Sequence, residues 1–241
     1  YSWAITRYSY FYNPLFLKYV QHIKPDMVHT HIASLPEVVG HLNACTKLKV
    51  PFVWTIHGMI KYCDAHIESL QKAIVQAIDR SLPMTITYVG AQPDLFNDLN
   101  LGDRISVMHI PPGIDLAEFT IPQGMREKNR RIYGFSENEF VLGYIGRLSM
   151  EKGVDILLGA INLAMKQAPQ LRLIIAGDGP ERLELERRLL RLQCKEKVLF
   201  IGEIKDVRNI LSLLDGYVQP SRQEGLPLSI LESMTAGIPI I

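Results

Sequence analysis

The chain has 241 residues, enough for one large domain or for two modest domains that each bury their own apolar core. Hydrophobic residues make up 47% and charged residues 21%, which is the balance of an ordinary globular protein. Lys and Arg total 26 against 25 for Asp and Glu, so no overall field attracts nucleic acid, and an anionic ligand must be drawn by a local cluster of cations.

Cysteine usage and hydropathy bear on where the protein works. Cys45, Cys63 and Cys194 are widely spaced and odd in number, which favours reduced thiols and a cytoplasmic protein. No apolar run reaches the roughly 18 residues that a membrane-spanning helix needs. Basic segments at 126–131 and 182–191 leave peripheral contact with the inner membrane face open, although solvated helix faces are the simpler interpretation.

Neither end of the sequence has the features expected of a natural chain end. The first residue is Tyr1 rather than Met, and the last is Ile241, inside the apolar run 237–241. We therefore expect a fragment of a longer protein, with an incomplete amino-terminal domain and an incomplete carboxyl end. The activity of such a fragment is a separate question from that of the whole protein.

Short, nearly continuous apolar runs alternate with amphipathic stretches along most of the chain. Such runs are typical of strands buried on both faces of a parallel sheet. The βαβα alternation predicts an α/β fold with two Rossmann-like parallel-sheet domains. The predicted strands are 26–30, 51–56, 84–89, 105–110, 140–145, 171–176, 197–201, 216–219 and 238–241, and the predicted helices include 35–47, 64–81, 154–168, 181–195 and 227–236.

The alternation breaks between 111 and 139, where prolines and glycines precede a charged stretch. This composition is typical of a connector between domains. We predict an amino-terminal domain at 1–112, a connector at 113–136 and a carboxyl-terminal domain at 137–241. The alternative is a single long sheet with an excursion.

Two cations lie in a glycine-bounded turn after the predicted strand 140–145. Gly146 allows the chain to turn sharply, so Arg147 and Lys152 would lie at the carboxyl end of the strand, where ligands bind in open α/β sheets. A planar Arg fork and a mobile Lys ammonium suit a diphosphate. The alternative is a solvated loop in which Glu151 pairs with Lys152.

Two carboxylates bracket a loop-to-helix junction further along the chain. Glu224 lies in the loop after the strand 216–219, and Glu232 lies about one turn inside the helix that Pro227 begins. The amide groups of 225–229 would then face the same place as the two cations, ready to donate to oxygen atoms of a ligand. The alternative is a capping Glu followed by a solvated helix Glu.

In this order, and about seventy residues apart, the two motifs resemble the donor half of a retaining glycosyltransferase of family 4, with the GT-B fold. The resemblance implies that Arg147 and Lys152 bind the diphosphate, that Glu224 contacts the transferred sugar and that Glu232 contacts the ribose. The flanking residues that also match the family pattern are Pro220, Ser221, Arg222, Gly225, Pro227, Ser233, Met234, Gly237 and Pro239.

The same resemblance gives donor-binding roles to several further residues. His57, at the end of the strand 51–56, would approach the sugar from the amino-terminal domain, with capping or core packing as the alternative. Ile204 would lie beside the base, and core packing is again the alternative. The remaining donor-binding residues, whose roles involve mainly the backbone, are Gly146, Gly177, Gly179, Gly225, Leu226, Pro227 and Leu228.

The sequence argues against a metal centre. His29 and His31 flank Thr30, but no Cys or carboxylate set completes a group of ligands. The chain has no Asp-x-Asp motif, which argues against the metal-dependent GT-A class. We expect no metal and no cofactor, with a nucleotide diphosphate sugar as co-substrate and a hydroxyl group of a glycan, lipid or small molecule as acceptor.

The resemblance implies glycosyl transfer with retention at the anomeric carbon, and in this family uridine or guanosine diphosphate sugars are commoner donors than adenosine ones. Attack by the acceptor from the leaving-group face, with its proton passing to the diphosphate, would explain the lack of an obvious catalytic base. Two alternatives stay open: a sugar-nucleotide epimerase of GT-B-like fold, whose acid and base groups are not identifiable here, and a non-catalytic nucleotide-binding fragment.

Overall fold

The structure is a computed structural model, and it describes residues 14–31, 35–57, 75–78, 81, 83–89 and 105–241. The chain divides into two compact units, Tyr1–Pro112 and Gly113–Ile241. Each unit contains a four-stranded parallel sheet. The predicted fold class, α/β with two parallel-sheet units, is confirmed.

The first unit packs helices against a sheet of order β1-β2-β3-β4. Its core places Trp54 and Ile86, which are 1% and 0% exposed, against Val39 and Leu42 of the second helix. The predicted helix 64–81 lies mostly outside the described residues. The elements are α1 (Pro14–Ile23), β1 (Val28–His31), α2 (Leu35–Leu48), β2 (Phe52–Ile56), β3 (Met84–Tyr88) and β4 (Ile105–His109).

The second unit has helices on both faces of a sheet of order β7-β6-β5-β8. A single bridge from Tyr217 to Ile240 replaces the predicted strand 238–241. The elements are α3 (Met125–Tyr133), β5 (Phe140–Ile145), α4 (Val154–Gln167), β6 (Leu171–Ala176), α5 (Arg182–Leu190), β7 (Val198–Gly202), α6 (Arg208–Leu211), β8 (Gly216–Tyr217) and α7 (Leu228–Thr235).

The central strand β6 shows why the apolar runs are continuous. Leu173 and Ile175 point into the core beneath α4 and α5, whereas Ile174 and Ala176 point into the core on the opposite face. All four side chains are fully buried. Because successive side chains of a strand alternate between faces, a strand covered on both sides must be apolar at every position.

The strand order of the second unit predicts where a ligand would bind. The chain runs from β5 outward to β6 and β7, then returns across the sheet to place β8 on the other side of β5. Between β5 and β8 the direction of winding reverses. In open parallel sheets, the crevice outside the carboxyl ends of the strands at such a reversal is the usual ligand site.

Part of the predicted connector is a helix that is fixed to the second unit. In α3, Arg126 and Arg130 both form ion pairs with Asp215, which precedes β8, and Asp215 also accepts a hydrogen bond from the amide of Val141. The Arg130 side chain is 6% exposed. The segment 113–136 therefore groups with the second unit, and its basic run is partly occupied by these ion pairs.

Smaller differences concern element ends and membrane contact. The helix predicted at 181–195 ends at Leu190, and a 3-10 turn follows at Lys195–Lys197. Within the described ranges, no helix is both long and apolar enough to cross a bilayer.

Candidate active site

Glycine ends three neighbouring strands of the second sheet, β5, β6 and β7. The amide of Gly146 donates to Ala176 O at 3.0 Å, and the amide of Gly177 donates to Gly202 O at 2.7 Å. A Cβ atom on Gly177 would lie 1.9 Å from Gly146 O, and its φ of +133° is one that side chains rarely allow. The loops after these strands therefore pack backbone against backbone.

The turn that carries the two cations, residues 146–153, lies directly against the loop that carries Glu224. Gly153 has φ +66°, and a Cβ atom there would lie 2.1 Å from Pro220 O. On the other side of the turn, the loop at Gly179 packs equally closely, since a Cβ atom added to Gly179 would lie 2.3 Å from Leu148 O. These glycines allow three loops to approach one another more closely than side chains would permit.

Lys152 and Glu224, two of the predicted ligand-binding side chains, form an ion pair. Lys152 Nζ donates to Glu224 Oε1 at 2.7 Å, although the residues are 72 positions apart in the sequence. Their side chains are 24% and 20% exposed, so the pair is largely shielded from water. The structure thus brings together one predicted diphosphate ligand and the predicted sugar ligand, at the reversal point between β5 and β8.

Arg222 fastens the Glu224 loop to the cation turn. Its guanidinium donates to both carboxylate oxygens of Asp155, each at 2.7 Å, and to Met150 O at 2.7 Å. Its amide donates to Glu151 O at 2.8 Å. The hydrogen bond from Arg222 holds the pKa of Asp155 below its ordinary value, because it favours the ionised carboxylate.

A hydrogen-bonded group that was not predicted from the sequence, Tyr217, Gln219 and Ser221, surrounds Glu224. Ser221 Oγ and Gln219 Nε2 donate to Glu224 Oε1 at 2.7 and 3.0 Å, and Gln219 Oε1 accepts from Tyr217 OH at 2.5 Å. Burial raises the pKa of Tyr217 to about 12, so its hydroxyl keeps its proton at neutral pH. In the sequence, a polar Gln at the end of the predicted apolar strand 216–219, directly before Pro220, is the feature that could have pointed to this group.

Helix α7 begins beside this cluster. Pro227 is its N-cap, one position earlier than the predicted place in the first turn, and Leu226 and Leu228 are 36% and 51% exposed. Ser229 Oγ lies 2.8 Å from Tyr217 OH, which ties the first turn of the helix to the Glu224 network. Amide groups in a first helical turn have no partner within the helix and can donate to an anion.

Glu232 lies half-buried on α7, one turn beyond Ser229. Burial, followed by the negative charge of Glu118, raises the pKa of Glu232 above its ordinary value. Both effects disfavour the ionised carboxylate, whereas a hydroxyl that donates to it would favour the ionised form.

Arg147 and Ile204 differ in how the structure fixes them. Tyr144 OH donates to Arg147 O at 2.9 Å, which holds the backbone of the cation turn, while the Arg147 side chain is exposed. Ile204 is half-buried and packs against the apolar cluster that includes Leu213 and Tyr217. Its contact with a base stays a prediction.

His57 belongs to the first unit, where it follows β2 and is exposed. Its Nε2 atom lies 2.6 Å from Nδ1 of His31, and His29 Nε2 lies 2.7 Å from Thr55 Oγ1. Desolvation, followed by the charges of His31 and His57, lowers the pKa of His29. Across the described part of the chain, no three His, Cys, Asp or Glu side chains are arranged to hold a metal ion.

A cavity of about 150 Å³ lies beneath the cation turn, between α4 and α5, and includes none of the predicted donor-binding residues. Its lining consists of Ser149, Met150, Val154, Asp155, Glu181, Glu184, Leu185 and Arg188. The predicted site is instead the open edge of the sheet, which suits a ligand larger than this cavity.

Two family models together match almost the whole chain. Residues 125–241 match the family described as glycosyl transferases group 1, and residues 4–118 match glycosyltransferase family 4. The chain is 26% identical to alpha-monoglucosyldiacylglycerol synthase of Streptococcus pneumoniae, an alignment that covers 90% of this chain and 51% of that protein.

A second relative is the UDP-Gal:alpha-D-GlcNAc-diphosphoundecaprenol alpha-1,3-galactosyltransferase of Escherichia coli, which is 27% identical over 90% of this chain and 57% of its own length. The chain thus spans about half the length of these two relatives. Among solved structures, Anabaena Alr3699/HepE in complex with UDP has a TM-score of 0.77 at 24% identity, covering 94% of this chain and 62% of that one. This likeness shows the GT-B fold.

Proposed function

The chain belongs to glycosyltransferase family 4, and from this premise we propose that it binds a nucleotide diphosphate sugar at the carboxyl edge of its second sheet and transfers the sugar to a hydroxyl acceptor. The observation that carries the proposal is the Lys152–Glu224 ion pair at the reversal point between β5 and β8. A cation for the leaving group and a carboxylate for the sugar lie side by side there.

The diphosphate would lie between the cation turn and the start of α7. The ammonium group of Lys152 has three hydrogen atoms, of which one is used by Glu224, so two can reach phosphate oxygens. Arg147 and the amides of 225–229 would supply further donors. Groups held in place before the reaction, as the close packing of these loops favours, stabilise developing charge more than water does.

The sugar and the ribose would be held by the two carboxylates. Glu224 Oε1 is occupied by its own neighbours, and Glu224 Oε2 would accept from a sugar hydroxyl. Glu232, further along α7, would accept from the ribose, and a hydroxyl donor there would offset the burial that raises its pKa.

The finer features of the reaction follow from the family resemblance. We propose retention at the anomeric carbon, with the acceptor attacking from the leaving-group face and its proton passing to the diphosphate. Lys152 and Arg147 would carry the charge-neutralising role that a metal ion has in other glycosyltransferases. UDP sugars are the first donors to test, since the E. coli relative is named for UDP-Gal and the Anabaena structure contains UDP.

We also assign the protein to the cytoplasm, as its cysteine usage predicts. Cys45 and Cys194 are both buried free thiols, and burial raises the pKa of Cys45 to about 11, which keeps it unreactive. Contact with the inner membrane face stays a prediction.

A donor screen tests the proposed function. The purified protein is incubated with UDP-glucose, UDP-galactose, UDP-N-acetylglucosamine and GDP-mannose, with glycan and lipid acceptors, and release of nucleotide diphosphate is followed. We expect acceptor-dependent release with at least one donor, and a loss of at least tenfold in kcat for Arg147→Ala, because a donor to the leaving group is removed.

Three results would contradict the proposal. Epimerised nucleotide sugar formed without an acceptor would indicate an epimerase, and nucleotide binding without turnover would indicate a binding module. A loss of less than tenfold for Arg147→Ala would remove that residue from the phosphate site.

A further inference from the structure

We propose that Gln219 is a positioning residue for Glu224, holding one carboxylate oxygen so that the other faces the donor sugar. The inference rests on the proposed function. Gln219 lies two residues after the end of β8, is half-buried, and has its amide group between Tyr217 and Glu224.

The chemistry of its neighbours fixes the orientation of the Gln219 amide. An ionised carboxylate only accepts hydrogen bonds, so the NH₂ group must face Glu224 Oε1, at 3.0 Å. The carbonyl oxygen then faces Tyr217 OH, at 2.5 Å. Because Tyr217 keeps its proton, it donates to Gln219 and prevents the amide from turning over.

Tyr217 anchors this chain of hydrogen bonds in the core. Its ring is 0% exposed, and its hydroxyl also lies 3.2 Å from Ile145 O and 2.8 Å from Ser229 Oγ. With its one proton donated to Gln219, the hydroxyl can accept from Ser229, and so it links the first turn of α7, through Gln219, to the carboxylate of Glu224.

All three donors converge on the same oxygen of Glu224. Lys152, Gln219 and Ser221 each donate to Oε1, and among the residues that the structure describes no hydrogen bond to Oε2 is found. A carboxylate held by one oxygen with three donors has a fixed plane, and its second oxygen has a fixed direction. Lys152 will also bind phosphate, so Gln219 and Ser221 keep Glu224 in place while the Lys152 ammonium adjusts to the donor.

Two variants of Gln219 distinguish a role in positioning Glu224 from a role in packing alone. Gln219→Leu removes all three side-chain hydrogen bonds, to Tyr217, Ser221 and Glu224, at similar volume. Gln219→Glu keeps an acceptor for Tyr217 but turns a carboxylate toward Glu224. We expect both to lower kcat for transfer from UDP-glucose or UDP-galactose about tenfold, as for loss of one well-placed hydrogen bond. Binding of UDP, which lacks the transferred sugar, should change less than about twofold, as should all parameters of Gln167→Leu, the same change on the exposed end of α4.

A double-mutant cycle then asks whether Gln219 acts through Glu224. In a Glu224→Ala background, Gln219→Leu should change kcat less than about twofold, because the group it positions is gone. Equal losses in both backgrounds would overturn the proposal, as would a Gln219→Glu variant with wild-type kcat. If the wild-type protein transfers no sugar, the proposed function fails, and a crystal structure of Gln219→Leu still decides: an unmoved Glu224 carboxylate overturns the positioning role, and a rotated one supports it.

Discussion

Replacing Lys152 with Met will lower kcat for glycosyl transfer by about 10²–10³-fold, the usual effect of removing one preorganised donor from the site of developing charge. The loss has two sources. The departing diphosphate loses its ammonium partner, and Glu224 keeps a largely shielded carboxylate without the cation that lies 2.7 Å away. Initial rates at saturating donor measure the effect.

Lys166→Met is the matched control, because Lys166 is an exposed residue near the end of α4. Its kcat should equal that of the wild type. Should Lys152→Met keep kcat within about threefold of the wild type, electrostatic stabilisation by this side chain is not part of the reaction.

Replacing Asp215 with Ala will destabilise the second unit by about 3 kcal/mol, the lower end of the usual cost of removing one partner from a buried ion pair, because the Arg130 side chain is 6% exposed but that of Asp215 is 22% exposed. Asp215 accepts hydrogen bonds from Arg126, Arg130 and the amide of Val141. Without it, the buried guanidinium of Arg130 keeps only its carbonyl partners. Urea denaturation followed by circular dichroism measures the free energy of unfolding.

Glu184→Ala serves as the control for Asp215→Ala. Glu184 also pairs with an arginine, but the two side chains are 66% and 68% exposed, so its loss should cost no more than about 0.5 kcal/mol. Equal destabilisation by the two changes would show that the ion pairs between Asp215 and α3 contribute no more to stability than a surface ion pair.

Strand periodicity predicted the sheets well because burial on both faces leaves a direct mark on the sequence. Every predicted strand from 140 to 201 lies within one residue of β5, β6 or β7. Helix α3 was missed for the opposite reason: its sequence is highly charged, and it is held by Asp215, more than eighty residues away. A partner that distant leaves no local signal.

The candidate site, like the fold, could be predicted from the sequence only in part. Residue type and motif spacing singled out Lys152 and Glu224 as candidates, but their ion pair depends on β8 returning beside β5, which only the strand order reveals. Gln219 leaves only a weak mark in the sequence, a polar residue at the end of an apolar strand. Its role becomes visible only when the buried Tyr217 hydroxyl is located on one side of it and Glu224 on the other.

The most direct test of the donor site is a crystal structure of the protein with UDP-glucose or UDP. We predict the diphosphate at the carboxyl edge between β5 and β8, with phosphate oxygens about 3 Å from Lys152 Nζ and from amides at the start of α7. A nucleotide bound elsewhere, such as in the cavity between α4 and α5, with these groups left empty, would contradict the account.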